Sequence, residues 1–213
     1  MDKITSHDEF KSQCNQRMGS SLGEEFTALR SELIWIHAKW KEYLLLFADS
    51  PERIDLLTKV AGPFFAMLQQ TLFEDIVLQL ARLTDHRKTC GKDNLTINRL
   101  TCLVSDQQCK TEMEKLVASA NATCEFARSW RHRRLAHNDL KLLLKIPTDP
   151  LPGISRADVE QALEAFRALL NRIQGYFLKT ETAYKYNITI GGDATSLIHY
   201  LQKGIEAEVA QQR

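Results

Sequence analysis

The stretch that decides the fold is Phe64-Phe65-Ala66-Met67-Leu68-Gln69-Gln70-Thr71-Leu72-Phe73-Glu74-Asp75-Ile76-Val77-Leu78-Gln79-Leu80-Ala81-Arg82-Leu83-Thr84. Phe65, Leu68, Leu72, Ile76, Leu80 and Leu83 recur at three- and four-residue steps, with Phe73, Val77 and Ala81 beside them. That period is helical rather than extended. So wide an apolar surface marks a helix at the centre of a bundle. Glu74, Asp75, Gln79 and Arg82 are its polar exceptions.

The neighbouring segments are helical too. Gly62-Pro63 breaks the chain just upstream, and Ser50-Pro51-Glu52 reads as a helix start with Ser as cap, for a helix to about Ala61. Gly23 to Asp49 carries Phe26, Leu29, Leu33, Ile36, Trp40, Tyr43, Leu44 and Phe47 on one stripe, a long amphipathic helix. Downstream, Asp85 to Leu95 is a loop rich in charge, Gly and Asn, followed by a short helix over Thr96 to Val104. Ser105 is the expected cap of a longer helix from Asp106 to about Ala136. Leu140 to Ile146 is expected to be extended, and Pro147, Pro150, Pro152 and Gly153 form a linker. Ser155 to Asp158 is a capping box for a helix to about Lys185. Tyr186 to Gly192 is a joint, and Asp193 caps a last helix that docks on the bundle or reaches to a partner. The fold class is therefore all-α, a bundle of about five or six helices over residues 1–146. A linker and C-terminal helices follow over 147–213.

Composition narrows the function classes. The chain has 213 residues and a formal net charge of +1, so it is no general polybasic binder, and an anionic partner must meet a local patch. No apolar run reaches the roughly 18 residues of a membrane span, and Met1 to Phe10 has no apolar core, so a cytoplasmic protein without membrane contact is expected. The five cysteines have no C-x-x-C pair and read as free thiols. His7, His86 and His199 have no partners at metal-binding spacing, and Cys90-Gly91-Lys92 lacks the rest of a phosphate loop. No metal or cofactor is expected.

The chemistry concentrates in Arg128 to Asp139. Arg128, Arg131, Arg133 and Arg134 cluster at a helix C-terminus, where the dipole favours cations. Trp130 among them is a flat surface on which a base can stack. His137 follows, a side chain that exchanges a proton near neutral pH. RNA cleavage without a metal needs these parts: a base for the ribose 2′-hydroxyl, a cation on the scissile phosphate and an acid for the leaving 5′-oxygen.

Arg131-His132-x-x-x-Ala136-His137 resembles the signature of HEPN domains, an Arg, a polar residue, and a His after several intervening positions. The run Glu74 to Asp85, ending in Arg82-Leu83-Thr84-Asp85 ahead of Ala136-His137-Asn138-Asp139, is similar to the abortive-infection U branch of that superfamily. The resemblance covers roughly Glu24 to Asp139. It implies a HEPN-like bundle that dimerises through the motif helix. It also implies a metal-independent endoribonuclease with a site shared by two protomers, in abortive infection or as a toxin with an antitoxin or defence-system partner. Arg131 and His137 would then be catalytic, with Arg128, Trp130, Arg133 and Arg134 on the RNA and Asn138 and Asp139 in support. His132 is either a second proton-transfer group or a hydrogen bond that positions Arg131. Some family toxins carry a Tyr two places after the His; here Asp139 stands there, so control by nucleotidylation at that site is not supported.

In a straight helix, residues six apart at about 100° each point some 120° away from one another, so Arg131 and His137 would diverge and two crossing helices would be needed. Arg133 and Arg134 would sit closer to His137. Asp75 is a candidate partner for Arg131, with a bridge to Arg82 or an exposed edge as alternatives, and Arg82 with Asp85 is a candidate local pair. The competing functional readings are a non-catalytic RNA- or nucleotide-binding dimeric module and a scaffold contacted through the last helix.

Overall fold

The computed structural model describes residues 6–136, 140, 144, 151–185 and 192–211. In those residues the chain is helical but for one minimal hairpin, and the fold is all-α. The helices are α1 (His7–Met18), α2 (Ser20–Phe47), α3 (Pro51–Leu83), α4 (Ile97–Leu103), α5 (Gln107–Thr123), α6 (Glu125–Trp130), α7 (Arg156–Leu178) and α8 (Ala194–Gln211), with a π-helical turn over Arg131–Leu135. Strands β1 (Lys88–Thr89) and β2 (Lys92–Asp93) pair antiparallel, Lys88 opposite Asp93. Cys90 and Gly91 turn between them with φ of 50° and 78°, the left-handed pair a two-residue hairpin demands. Within the loop expected over Asp85 to Leu95, Gly91 supplies the permissive half of that turn.

The chain forms two compact units. The first unit comprises residues 1–34 and 77–184, so α7 belongs to it. Ser6 and Glu9 close a capping box at the start of α1. A Cβ on Gly23 would lie 2.4 Å from Asn15 Oδ1, so glycine there lets α2 pass close to α1. α7 starts on the expected capping box, Ser155 with Asp158, and buries Val159, Leu163, Phe166, Leu170 and Ile173 along one face. α7 packs on α5, which contributes buried Met113, Val117 and Ala120. Each such buried side chain contributes about 1.5–3 kcal/mol relative to exposure, so this face joins α7 to the unit. α7 ends at Leu178 rather than near Lys185, because Lys179 turns left-handed at φ 57°. Thr182 then ties the chain back: its N–H donates to Asn171 Oδ1 (2.9 Å), and its hydroxyl donates to Gln174 Oε1 (2.8 Å) and accepts from Arg30 Nε (3.0 Å).

The second unit comprises residues 35–76 and 185–213. Leu46, Phe47, Leu57, Phe65, Ala194 and Ile198 form its core. α8 begins with Thr195 N–H on Asp193 Oδ1 (3.1 Å), as expected, and with Ala194 N–H on Glu42 Oε2 (2.8 Å). α8 therefore docks by its first turns. α3 loses helical geometry at Ala61 (φ −158°, ψ 59°), where Gly62 and Pro63 interrupt the bonding. Its apolar surface is closed from Ile76 onward, whereas Phe64 and Met67 are 55% and 63% exposed. Burial along the deciding stretch is thus concentrated in its later half, at Ile76, Val77, Leu80, Ala81 and Leu83.

Candidate active site

The site lies within the first unit, where α3 ends. Thr84 and Asp85 leave the helix, and their carbonyls are collected by a side-chain latch. Thr96 Oγ1 lies 2.9 Å from Leu83 O and 2.9 Å from Asp85 O. Asn98 Nδ2 donates to Asp85 O (2.9 Å) and Thr84 O (3.2 Å), and Asn98 Oδ1 accepts from Asn121 Nδ2 of α5 (2.7 Å). Thr84 Oγ1 turns back onto Ala81 O (3.0 Å). These bonds satisfy the carbonyls that a helix end leaves open, so the backbone under Asp85 is fixed.

Facing Asp85 is the motif segment. The single helix expected from Asp106 to Ala136 is instead three pieces. Asp106, not Ser105, caps α5, because its carboxylate accepts Cys109 N–H at 2.7 Å. Cys124, at φ −103° and ψ 10°, interrupts the helix before α6. The π turn then opens at Arg131, with Ala136 N–H donating to Arg131 O five residues back at 2.8 Å. Straight α-helical geometry therefore does not hold over Arg131–Leu135, because a π turn sets side chains on a different angular schedule. Such turns recur at functional sites.

Arg131 Nη1 donates to Asp85 Oδ1. This ion pair replaces both expected ones. Asp75 bonds instead to Lys39 of α2 (2.5 Å), and Arg82 is exposed. The Asp85 carboxylate is 18% exposed and the Arg131 side chain 34%, so the pair is sheltered but open on one edge. It sits in a cleft of about 920 Å³ that His86, Arg87, Asn98, Lys110, Arg128 and His132 also line. The lining carries four cations, Arg87, Lys110, Arg128 and Arg131, against the carboxylates of Asp85 and Glu114, so its balance favours an anion.

The other sequence-predicted residues are distributed around this pair. Arg128 lines the cleft and bonds to Glu125 one turn back. Trp130 is half-buried; its Nε1–H donates to Pro152 O at 2.8 Å, and the Arg134 guanidinium lies 6.0 Å from its ring centroid. Trp130 thus anchors the linker, a contact the base-stacking expectation did not contain. Arg133 is partly buried and Arg134 exposed. His137, Asn138 and Asp139 lie outside the described residues. In the segment expected to be extended, Leu144 N–H donates to Leu140 O at 2.9 Å; its remaining residues lie outside the described ones. Sequence reasoning missed Asp85 as the partner of Arg131, and Thr96, Asn98 and Asn121 as its latch. The quoted Arg-Leu-Thr-Asp run contained the signal for Asp85.

Burial pushes the Cys124 thiol up to about 12, with Arg128 pulling weakly the other way, so this cysteine at the α5–α6 break is an inert packing group. Among the described residues there is no group of three metal-ligating side chains, and no helix long and apolar enough to cross a membrane.

Fold and cleft describe an all-helical protein in which a motif arginine, on an irregular turn, meets an acid at the end of the central helix. A sequence profile of the AbiU2 family of HEPN proteins matches residues 19–189, and the chain belongs to that family, the abortive-infection U type of the HEPN superfamily. The match takes in both units and reaches past α7. No curated protein and no solved structure matches the chain.

Proposed function

We propose that this protein is an endoribonuclease of the HEPN type that cleaves RNA without a metal ion, as an abortive-infection effector or toxin. The observation that carries this reading is the Asp85–Arg131 pair in an open, cation-rich cleft. One edge of the guanidinium is held by the carboxylate, which fixes its plane, and the remaining N–H donors are available to a phosphate. Arg131 holds the scissile phosphate and stabilises the charge that builds on it. His137 transfers a proton. Arg87, Lys110 and Arg128 steer the flanking backbone. Two protomers join through the motif segment, so that the clefts form a composite site. An antitoxin or another defence-system protein controls the activity.

The test is cleavage of a labelled RNA by purified protein in excess chelator. The parent cuts, and His137→Ala and Arg131→Ala do not. Parental cutting by His137→Ala would end this reading. Salt-sensitive RNA binding with no cleavage in any condition would favour the non-catalytic binding module, which the same cationic lining supports.

A further inference from the structure

The hairpin beside the cleft is held in a way that apolar packing does not explain. All four residues of β1 and β2 are exposed, so its strands bury no side chain. A two-stranded hairpin is at best marginally stable by itself. Here polar bonds fix it. Asn94 clasps the neck: its N–H donates to Arg87 O (2.9 Å), and its Nδ2 donates to His86 O (2.8 Å) and to Thr89 Oγ1 (2.7 Å). Asp93 is tied by Arg99 Nη1 of α4 (3.0 Å), and the same guanidinium is gripped by Glu25 of α2 (2.7 Å). The result is a braced polar arm at the edge of the cleft, which its Arg87 and Thr89 line.

The register decides which charges the arm presents there. Lys88 lies opposite Asp93, and Thr89 opposite Lys92. Directly opposite residues share one face of an antiparallel pair, and neighbours along a strand take opposite faces. One face therefore carries Lys88 and Asp93, 3.7 Å apart as an ion pair. The other carries Thr89, which lines the cleft, and Lys92 beside it at the rim, with Cβ atoms about 5 Å apart. Lys92 is exposed and makes no ion pair with a described residue, since Asp93 is taken up by Arg99 and Lys88. The Thr89 hydroxyl accepts from Asn94 and keeps its own hydrogen to donate. Arg87 turns its Nη1 to Cys102 Sγ of α4 (2.6 Å), another residue of the cleft lining. The arm thus offers one cation within the cleft and a second at its rim.

We propose that Thr89 and Lys92 form a second phosphate-binding subsite, which takes the backbone of a single RNA strand where it leaves the cleft. The proposal rests on the reading that the cleft takes RNA. A strand with one phosphate in the cleft carries a further negative charge at every nucleotide beyond it. The Lys92 ammonium is a point charge that meets a phosphate oxygen, and the Thr89 hydroxyl adds a neutral donor beside it. Such contacts set the path of the strand and do not read its bases. The braced arm lowers the ordering cost of binding, because the backbone under both side chains is already fixed. Lys88 has the same charge and the same exposed strand, but stands on the face turned away from Thr89. It has no part in the subsite.

The experiment measures binding of a short labelled oligouridylate, 2′-O-methylated at every ribose, by fluorescence anisotropy over a series of salt concentrations. The methyl groups remove the attacking hydroxyl, so binding is read without cutting. The full chain is compared with Lys92→Gln, Lys92→Arg and Lys88→Gln; both lysines are exposed, so no packing contact is lost. Lys92→Gln should bind more weakly at low salt, and its slope of log affinity against log salt should be shallower than the parent's by about 0.7, the value of one phosphate contact on a single strand. Lys92→Arg, which keeps the charge, and Lys88→Gln, which removes a charge from the other face, should both keep the parental slope. A parental slope in Lys92→Gln overturns the subsite. So does an equal fall in Lys88→Gln, which would mean that affinity follows net charge and not the face of the arm. Cleavage of unmodified RNA by the parent is assayed on the same preparation. If the Lys92 dependence holds and the parent cuts nothing, the subsite stands and the ribonuclease reading falls. If the parent cuts and the Lys92 slope is parental, the subsite falls alone. If the parent binds no oligonucleotide, the subsite is rejected whatever the cleavage result.

Discussion

The two walls of the cleft are built on opposite principles. The α3 wall ends in a turn whose carbonyls are taken up one by one by Thr96 and Asn98, with Asn121 bracing Asn98 from α5. The motif wall is a π turn that follows a broken helix, and its residues are half-buried or exposed. One wall is fixed by neutral hydrogen bonds in a sheltered place. The other is irregular backbone rich in arginine, joined to the first through the Asp85–Arg131 pair. The difference separates two tasks: the acid sits where it cannot shift, and the arginine takes its geometry from the acid. Strained or irregular backbone at a site persists when the surroundings over-determine it, and here the latch does so from the opposite wall.

The largest expected effect comes from cutting that link. On the proposed ribonuclease reading, Arg131→Ala removes the donor assigned to the phosphate and should lower kcat about 10²–10³-fold. Asp85→Asn leaves the arginine charge in place and removes only the partner that orients it. A misplacement of about 1 Å can cost 10²-fold in rate, so Asp85→Asn should lose up to that amount, with RNA affinity near the parental value because the cation is retained. Cleavage and binding measured on the same RNA separate these outcomes. If Asp85→Asn cleaves at the parental rate, the α3 wall does not govern the arginine.

The latch comes next. Asn98→Ala leaves Thr84 O without its side-chain donor and Asn121 Nδ2 without its acceptor. Groups left unsatisfied in sheltered positions cost about 1–3 kcal/mol each, so a loss of about 2 kcal/mol in urea unfolding is expected. Asn98→Asp should cost more, because it sets a carboxylate against two carbonyls. If Asn98→Ala and Asn98→Asp unfold alike, the hydrogen bonds to the carbonyls are not what holds this wall.

Much of the scaffold around the walls was legible in the sequence. The capping box at Ser155, the break at Gly62-Pro63 and the cap at Asp193 are local signals, and each acts within a few residues of itself. The apolar stripe of α3 was legible too: Phe65, Ile76, Leu80 and Leu83 are buried, and the exposed Phe64 and Met67 lie off it. Asp85 was visible as part of a quoted run, whereas its partner lies 46 residues away. Which acid of α3 meets Arg131 depends on how the helices are rotated against one another, and the period of one helix does not carry that phase. The π turn had no signal either: Arg131 to Leu135 reads as ordinary helix, continuous with α6.

Cys124 offers a gentler way to strain the motif wall. Its thiol is raised to about 12 by burial, and an unfolded cysteine titrates near 8.5. The neutral form is the one the fold holds. The stabilisation is therefore fully present below about pH 8.5 and is lost as pH rises towards 12, at no more than about 1.4 kcal/mol per pH unit for this group. Tyr184, also raised by burial, adds to the same fall at higher pH. Cys124→Ala should flatten the first part of the slope in urea titrations under reducing conditions, at the cost of a lower midpoint near neutrality. A slope identical to the parent's from pH 8.5 to 10 would mean that ionisation of this cysteine is not what lowers the stability there.

The smallest effect is expected at the rim. Arg128 bonds to Glu125, whose side chain is 69% exposed. Exposed pairs of this kind contribute about 0.2–1 kcal/mol, so Glu125→Gln should hardly move the unfolding midpoint. It would, however, release a cation that lines the cleft. An arginine no longer shared with a carboxylate can meet one more phosphate, and each phosphate contact on single-stranded nucleic acid adds about 0.7 to the slope of log affinity against log salt. Glu125→Gln should therefore bind RNA more tightly at low salt, with a steeper salt dependence and an unchanged kcat. An unchanged slope would place Arg128 with the local helix pair rather than with the substrate. The stability and binding measurements must be made on the same preparation, because the distinction depends on one moving while the other stays.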